Sequence, residues 1–462
     1  MANVYRVPQD YATITAAIAA ASDLDTVKVA AGIYHETVII NKRIQLLGAQ
    51  SGIDARERSG SLIAETVISQ SANQGAIQIT ADDVIIDGIT VQDNTAGAGI
   101  YSNATHSGYW IINTIVQNNA YGIYLNSNGQ KTVQVRQNMF YSNNINNAAG
   151  NGIFSILGIS NVLIDSNRFS GMHASATVNF GAPTVQNNIT ILNNEFLNDN
   201  SIALTNTNNV KVASNRFNNS SGTSVYLGGA TNNTVLEGNR FENGMGYAIQ
   251  VTRSFNAALN LNLKIVGNSI AGNALAGMYV EAGAYNPTGP NSRLDATNNW
   301  WGSASGPAPS GSGDAIVDPD NVSEHIPFLT ANPFPVPDPT ISKVLSTGVI
   351  HCAQGEPYNM VIDILNDDIT TAAGIEMWGF FLVPDNPKIP FAFEPIQVGA
   401  NGYTQRSLVT YFGDRFEFQF KITNTDDVII TIWGMHADGT LTAIQRLHAA
   451  DFVPIASQTP TS

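Results

Sequence analysis

Apolar and polar residues alternate along most of this chain in short runs of period two, and the runs return at a regular interval. The recurring unit is an apolar residue, two spacers, Asn or Asp, one spacer and a large apolar residue. It reads "VIIDGI" (84–89), "WIINTI" (110–115), "VRQNMF" (135–140), "IDSNRF" (164–169) and "ILNNEF" (191–196). It continues as "VASNRF" (212–217), "LEGNRF" (236–241), "IVGNSI" (265–270) and "DATNNW" (295–300). The polar slot falls at Asp87, Asn113, Asn138, Asn167, Asn194, Asn215, Asn239, Asn268 and Asn298, at intervals of 21 to 30 residues. Helical repeats need a 3.6-residue local period and units of roughly 33–47 residues. Short strands rich in Val, Ile and Phe between Asn/Gly turns, about three to a unit, predict a parallel β-solenoid instead.

The slot residue has a physical rationale. Each coil must bend sharply at the same place, and Asn enters left-handed backbone more readily than other non-glycine residues. Stacked about 4.8 Å apart, such side chains hydrogen-bond one to the next. Two residues on stand Ile89, Ile115, Phe140, Phe169, Phe196, Phe217, Phe241, Ile270 and Trp300. Five consecutive Phe in one slot predict an internal aromatic stack that Trp300 ends. Trp301 is then expected to face the other way and cover the final coil.

The two ends have other textures. Residues 1–26 read as a cap, with an amphipathic segment from Tyr11 to Ala21, Ile14 and Ile18 at i, i+4, and Asp10 as N-cap. Such a helix closes the open hydrophobic end of a first coil. Strands start near Val27, Val38 and Ile44, and the solenoid is expected over 27–327. Proline density marks 328–340 as a semi-rigid linker. Beyond it, "YNMVIDIL", "IEMWGFFLV", "RFEFQFKIT" and "DVIITIWGMH" alternate between turns such as "PDNP", "GANG" and "ADGT". Residues 341–462 therefore read as an antiparallel β-sandwich with Trp378 and Trp433 in its core.

The capping segment "VPQDYATITAAIAAASDLDTVKVAAGIYHETVIINKRIQLLGA" (7–49), the Asn-x-Phe coils and "TNNWWGS…GP" together resemble the right-handed parallel β-helix (pectin-lyase-like) superfamily. The resemblance covers about residues 3–330. It implies an all-β fold: a right-handed parallel β-helix of 10–11 coils with an N-terminal capping helix, followed by the sandwich. Activity does not follow, because the superfamily holds lyases, hydrolases, epimerases, tailspikes and non-catalytic surface proteins. The stretch "TNTDDVIITIWGMHADGTLTAIQRLHAADFVPI" is similar to β-sandwich modules of bacterial spore-surface proteins.

Composition narrows the partners. Charged residues are 12%, about half the usual share, and the formal net charge is −15. Nucleic acid and anionic membranes are disfavoured, since both want clustered Lys/Arg. A polyanionic substrate is disfavoured too unless a cation bridges. The single cysteine, Cys352, excludes an internal disulfide. No 18-residue apolar stretch occurs, so membrane insertion is not expected, and the opening residues lack the build of a signal peptide. The expected location is extracellular or on a cell or spore surface.

Chemistry is sought on the outward columns. On the strand before the Asn slot these read Ile85, Ile111, Arg136, Asp165, Leu192, Ala213, Glu237 and Val266. Arg136–Asp165 and a diagonal Lys211–Glu237 contact read as surface pairing. On the strand after the turn, Ile100, Ile123, Ile153, Val178, Ile202, Val225, Ile249 and Met278 are expected inside. Their successors Tyr101, Tyr124, Phe154, Asn179, Ala203, Tyr226, Gln250 and Tyr279 should point out. Two residues further lie Asn103, Asn126, Ile156, Thr205, Thr252 and Glu281. Aromatic rings interleaved with amides suit an extended sugar chain, rings packing on pyranose C–H surfaces and amides bonding hydroxyls. The candidate glycan contacts are Tyr101, Tyr124, Asn126, Phe154, Asn179, Tyr226, Gln250, Tyr279 and Glu281.

Catalytic constellations are thin. The one dense carboxylate group in the coils, Asp82, Asp83 and Asp87, shows no Arg or Lys at a neighbouring outward position. "NTDD" (424–427) lies in the other domain, and the Asp-Pro-His-Glu type of signature of alginate epimerases is missing. His106 and His173 are loop residues flanking the aromatic face and the only acid–base candidates there. No cofactor is implied beyond a calcium ion at "DPD" (318–320). The preferred reading is a non-catalytic surface protein that binds polysaccharide, or associates with copies of itself as a homo-oligomer through the C-terminal module. A polysaccharide lyase or epimerase and a phage-type trimeric fibre are the alternatives.

Overall fold

The computed structural model describes residues 3–58, 64–145, 150–174, 176–181, 183–287, 293–334, 342–351, 358–368, 372–382, 388–410, 415–423, 428–435, 441–447 and 453–455. Cys352, the acidic run 424–427, the turns at 384–387 and 437–440 and linker residues 335–340 lie outside them. The chain divides into one unit of Met1–Ser51 with Arg58–Asn332, and a second of Gly52–Glu57 with Pro333–Ser462.

The first unit is a parallel solenoid. Its strands stack into three sheets of 13, 11 and 10 strands, each strand pairing with those one coil before and after. The longest sheet exceeds the expected coil number because Val4–Val7 pairs with Thr26–Val29 at one end and Leu294–Asp295 with Ser323–Glu324 at the other. Alternation along each strand fills the interior: Ile100, Ile123, Ile153, Val178, Ile202, Val225, Ile249 and Met278 stand in register and are fully buried.

The asparagine ladder is real, but one residue separates its bend from its side chains. Left-handed backbone falls at Asn113, Gln137, Ser166, Asn193, Ser214 and Asn298, with φ of 49–56°, and at Gly238 and Gly267. The next residue turns its side chain inward. Thus Asn138, Asn167, Asn194, Asn215, Asn239, Asn268 and Asn299 form the buried ladder, each Nδ2 donating to the next Oδ1 at 2.9–3.0 Å. Three expected rungs are corrected. Asn113 and Asn298 hold the bend, with Thr114 and Asn299 in the ladder slots. Asp87 precedes the bend at Gly88 and instead accepts from Asn113 Nδ2 and Ser51 Oγ.

The same shift corrects the aromatic column. Phe140, Phe169, Phe196, Phe217 and Phe241 stack at 4.6–4.9 Å between centroids with planes within 11°. Their neighbour before Phe140 is Val116, not Ile115, and Val116 follows Val91, not Ile89. At the far end Ser269 pairs with Trp300, so Ile270 is followed by Trp301. Trp301 is fully enclosed while Trp300 lies half-buried outside. The expected roles of the two tryptophans are exchanged.

The cap helix runs over Ile14–Ala20 and buries Ile14, Ala17 and Ile18. It is shorter than Tyr11–Ala21 because the Thr13 hydroxyl, not Asp10, accepts from the Ala16 amide as N-cap. Asp10 accepts instead from the Arg6 amide, and Tyr11 packs its ring on Tyr5. The first coil clamps both helix ends. Glu36 accepts the Ile14 and Thr15 amides at 2.8 Å, and Lys42 Nζ donates to the carbonyls of Ile18, Ala19 and Ala21. A carboxylate at the N-terminus and an ammonium at the C-terminus match the helix dipole.

The second unit is an antiparallel sandwich. One sheet orders Ile389–Val398, Ala373–Phe381, Arg415–Thr423, Ser342–Ser346 and Val453–Ile455, and the other Gly402–Thr410, Tyr358–Asn366, Val428–Met435 and Leu441–Leu447. Phe416, Phe418, Phe420, Ile375 and Met377 of the first share a core with Met360, Ile362, Ile364, Ile430 and Ile432 of the second. Trp378 and Trp433 were expected in that core; both are half-buried at its margin, Trp433 Nε1 donating to Asp363. No described helix is long and apolar enough to cross a membrane.

Candidate functional site

The 11-stranded sheet of the solenoid places one outward residue per coil in strict register. The column runs Ile39, Gln78, Tyr101, Tyr124, Phe154, Asn179, Ala203, Tyr226, Gln250, Tyr279 and Val317. From Gln78 to Tyr279 every member is half-buried. Alternation explains this: each follows a fully buried aliphatic residue by one position.

The rings gather in two groups. Tyr124 and Phe154 stack at 4.2 Å and 21°, Tyr101 meets Tyr124 edge-on at 5.5 Å, and Tyr121 packs on Phe154 at 4.8 Å. Toward the other end Tyr247 stacks on Tyr279 at 4.9 Å and Phe255 lies 5.6 Å from Tyr226. Stacked rings spend their faces on one another and turn edges and hydroxyls outward, so the expected continuous platform of faces is interrupted. Burial, and then the neighbouring Tyr101, push the Tyr124 hydroxyl above its ordinary value of 10.0. It stays a neutral donor and acceptor at physiological pH.

Tyr121, Tyr247 and Phe255 were not singled out from the sequence. Tyr121 and Tyr247 carry a signal: each stands three residues before a column member, Tyr124 and Gln250, at the entrance to its strand. Phe255 sits in the loop after Val251 and has no such offset.

Several expected site residues are elsewhere. Asn126 is fully buried, its Nδ2 donating to the Ser102 carbonyl and its Oδ1 accepting from Ser155. The turn after Leu125 folds its amide into the core rather than onto the face. Glu281 stays at the rim, accepting from the Thr252 hydroxyl and the Arg253 amide. Those two hydrogen bonds hold its carboxyl below the usual 4.5.

His173 does not reach the aromatic face. Its side chain is fully buried, Nδ1 lies 2.7 Å from Asp199 Oδ2, and Nε2 lies 3.3 Å from Asn143 Nδ2. Asn119 Nδ2 donates to Asn143 Oδ1 at 2.9 Å, which fixes the Asn143 amide and leaves His173 Nε2 as acceptor. Asn94, Asn119, Asn143, His173 and Asp199 thus form a second internal ladder at the opposite corner of the coil. His106 remains partly exposed at a corner beside Asp82, 3.4 Å away.

The group of Asp82, Asp83 and Asp87, expected to have no Arg or Lys beside it, has two: Lys131 Nζ lies 2.5 Å and Arg43 Nε 3.5 Å from Asp83. The outward pairs do form, Arg136–Asp165 at 3.0 Å and Lys211–Glu237 at 2.6 Å. Ile85 and Ile111 are not in that column, which continues through Asp87 and Ile112; Ile111 is buried. Asp318 Oδ2 accepts the Ser323 amide and hydroxyl, and Asp320 Oδ2 the Gly283 amide. Among the described residues no cluster of three or more His, Cys, Asp or Glu suits a metal ion.

The coil architecture has a counterpart in sequence. The family model described as "Right handed beta helix region" matches residues 28–169 and 140–294. The chain belongs to the right-handed β-helix family. No curated protein matches this β-helix chain. Among solved structures it is similar to the A-module of a mannuronan C-5 epimerase from Azotobacter vinelandii, at 14% identity and a TM-score of 0.43, over 70% of this chain and 98% of that one. The pectin methylesterase of Aspergillus niger matches at 12% and 0.31, over 62% and 92%. The Dettilon tailspike protein matches at 10% and 0.35, over 92% and 94%.

Proposed function

We propose that this β-helix protein binds an extended polysaccharide along the outward column of its 11-stranded sheet, outside the cell or on its surface, without cleaving it. The observation that carries the reading is the register of Tyr101, Tyr124, Phe154, Asn179, Tyr226, Gln250 and Tyr279, one per coil. The coil repeat of about 4.8 Å repeats the same chemistry along a line, as a linear polymer of similar units needs. Among the described residues no protein group bonds the hydroxyls of Tyr101, Tyr124, Tyr226 or Tyr279, so these tips are available to a ligand. A glycan array probed with the full chain and with a Tyr124→Ala/Tyr226→Ala double variant tests it. A drop of at least tenfold is expected; unchanged affinity for every bound glycan would remove the face from consideration.

A self-association contact is a second reading of the same region. It is favoured by exposed apolar side chains beside the face, Phe255 at 74% and Met245 at 71%. Light scattering that shows an assembly lost with Phe255→Ser, at unchanged glycan affinity, would favour it.

A further inference from the structure

The column has a gap. Between Asn179 and Tyr226 stands Ala203, the one member with a side chain of a single carbon between two long neighbours. Ala203 is only partly buried, so solvent reaches the floor of the gap. Side chains two coils apart are about 9.6 Å apart, leaving room for one ring-thick layer between the Asn179 amide and the Tyr226 ring. Among the described residues the ring contact of Tyr226 is with Phe255, from the coil that follows, and none comes from the coil of Ala203. Beside the gap stands Thr205, whose hydroxyl, like the Asn179 amide, has no hydrogen-bond partner among the described residues.

The column from Ile39 to Val317 carries no acidic or basic side chain. At its rim stand Glu281, bonded to Thr252 and the Arg253 amide, and the exposed Arg253 itself. A uronate chain brings one carboxylate per sugar and needs cations or fixed donors to meet them, and the chain as a whole carries −15. An uncharged sugar needs what the gap has: an aromatic face for its C–H surface and amide and hydroxyl groups for its hydroxyls.

We infer that the notch over Ala203 seats one pyranose unit of a neutral polysaccharide, stacked on Tyr226 and hydrogen-bonded by Asn179 and Thr205. This rests on the proposed glycan-binding face and adds where the chain is gripped and that it is uncharged.

Ala203→Tyr is the test, because an aromatic residue at this outward slot continues the column and leaves the buried residues untouched. The full chain and this variant are compared on an array holding neutral glucans, mannans, galactans and xylans beside alginate and polygalacturonate, with thermal melts as folding control. Wild-type binding to a neutral glycan, reduced at least tenfold by Ala203→Tyr at an unchanged melting temperature, is the expected result. Neutral binding that Ala203→Tyr leaves intact overturns the notch while the face stands. Binding confined to the uronates overturns the neutral assignment, and no binding at all overturns the face with it. If Ala203→Tyr melts early, Asn179→Ala replaces it: a several-fold loss supports the notch and no loss overturns it.

Discussion

Asn167 donates both its backbone amide and its side-chain Nδ2 to a single atom, Asn194 Oδ1, at 2.9 Å each. Asn194 in turn donates Nδ2 to the carbonyls of Ile164 and Leu192 and to Asn215 Oδ1. One buried carboxamide therefore satisfies polar groups on three coils. Asn194→Ala leaves the Asn167 backbone amide without its acceptor and takes one donor from the Ile164 carbonyl and one acceptor from the Asn167 side chain, in an interior closed to water. An unsatisfied buried group costs about 1–3 kcal/mol, so the variant is expected to lose about 3 kcal/mol, read as a lower urea midpoint at unchanged slope. Its neighbour behaves differently. Asn193 holds the bend at φ 55°, and glycine holds that conformation at no steric cost, so Asn193→Gly stays within about 1 kcal/mol of wild type. Equal losses at the two positions would refute this division of labour.

Trp301 and Trp300 should separate as sharply. Trp301 fills the slot of Ile270 one coil on and is enclosed, so Trp301→Ala opens a cavity and is expected to cost about 3–5 kcal/mol. Trp300→Ala removes a half-buried ring and is expected to cost under about 1.5 kcal/mol. Thermal melts of the two variants decide it, and a larger loss for Trp300 would restore the order read from the sequence. That order was missed for a local reason. The sequence "TNNWW" offers Asn298 or Asn299 to the ladder and Trp300 or Trp301 to the column, and the repeat spacing varies by more than one residue. The choice is made by which residue takes the left-handed bend, and Asn serves there as readily as in the ladder. Where the residues differ in kind, as in the Ile100 to Met278 column beside Tyr101 to Tyr279, alternation gave inside and outside correctly at each coil.

His173 shows the complementary limit. Its partners Asn143 and Asp199 lie one coil to either side, 30 and 26 residues away in sequence, and nothing local reveals them. The spacing of Asn94, Asn119 and Asn143 was a usable signal for a second ladder, with His173 as its next member. The structural role predicts that His173→Ala takes the Nδ1–H donor from the buried Asp199 carboxylate, which keeps the backbone amides of residue 173 and Asn200, at a cost of about 1–3 kcal/mol. Glycan affinity measured well below the melting temperature should be unchanged. A stable variant with altered binding would return His173 to the functional site.

The cap helix offers a test of charge placement. Lys42 Nζ meets three carbonyls at the helix C-terminus, and methionine keeps its length without its donors. Lys42→Met is expected to raise hydrogen exchange over residues 14–21, with a loss of about 1–2 kcal/mol that salt does not restore. Glu36→Gln keeps one of the two accepting oxygens and sets an NH2 group against the other helix amide; because the Thr15 amide is exposed and water can replace the lost acceptor, it should cost less, about 0.5–1 kcal/mol. If the order is reversed, the N-terminal carboxylate and not the ammonium is the principal clamp.

In the sandwich, Glu417 sets the acid limb of stability. It is buried, accepts from Ser346 Oγ at 2.6 Å and Gln419 Nε2 at 2.9 Å, and faces Lys388 Nζ at 2.6 Å. Burial alone pushes its carboxyl up; the Lys388 ammonium, the Ser346 hydroxyl and the Gln419 amide outweigh that and leave it below the ordinary 4.5. Folding therefore favours the ionised form. The stabilisation is complete above pH 4.5 and is lost as acid carries the pH down through the lowered value. Glu417→Gln cannot titrate, so its melting temperature should start lower at pH 7 and fall less between pH 5 and 3. Because other carboxylates titrate in both proteins, the difference between the two curves is the quantity to read, and it should shrink as the pH drops. A difference constant down to pH 3 would mean that Glu417 contributes packing and hydrogen bonds there but no ionic term.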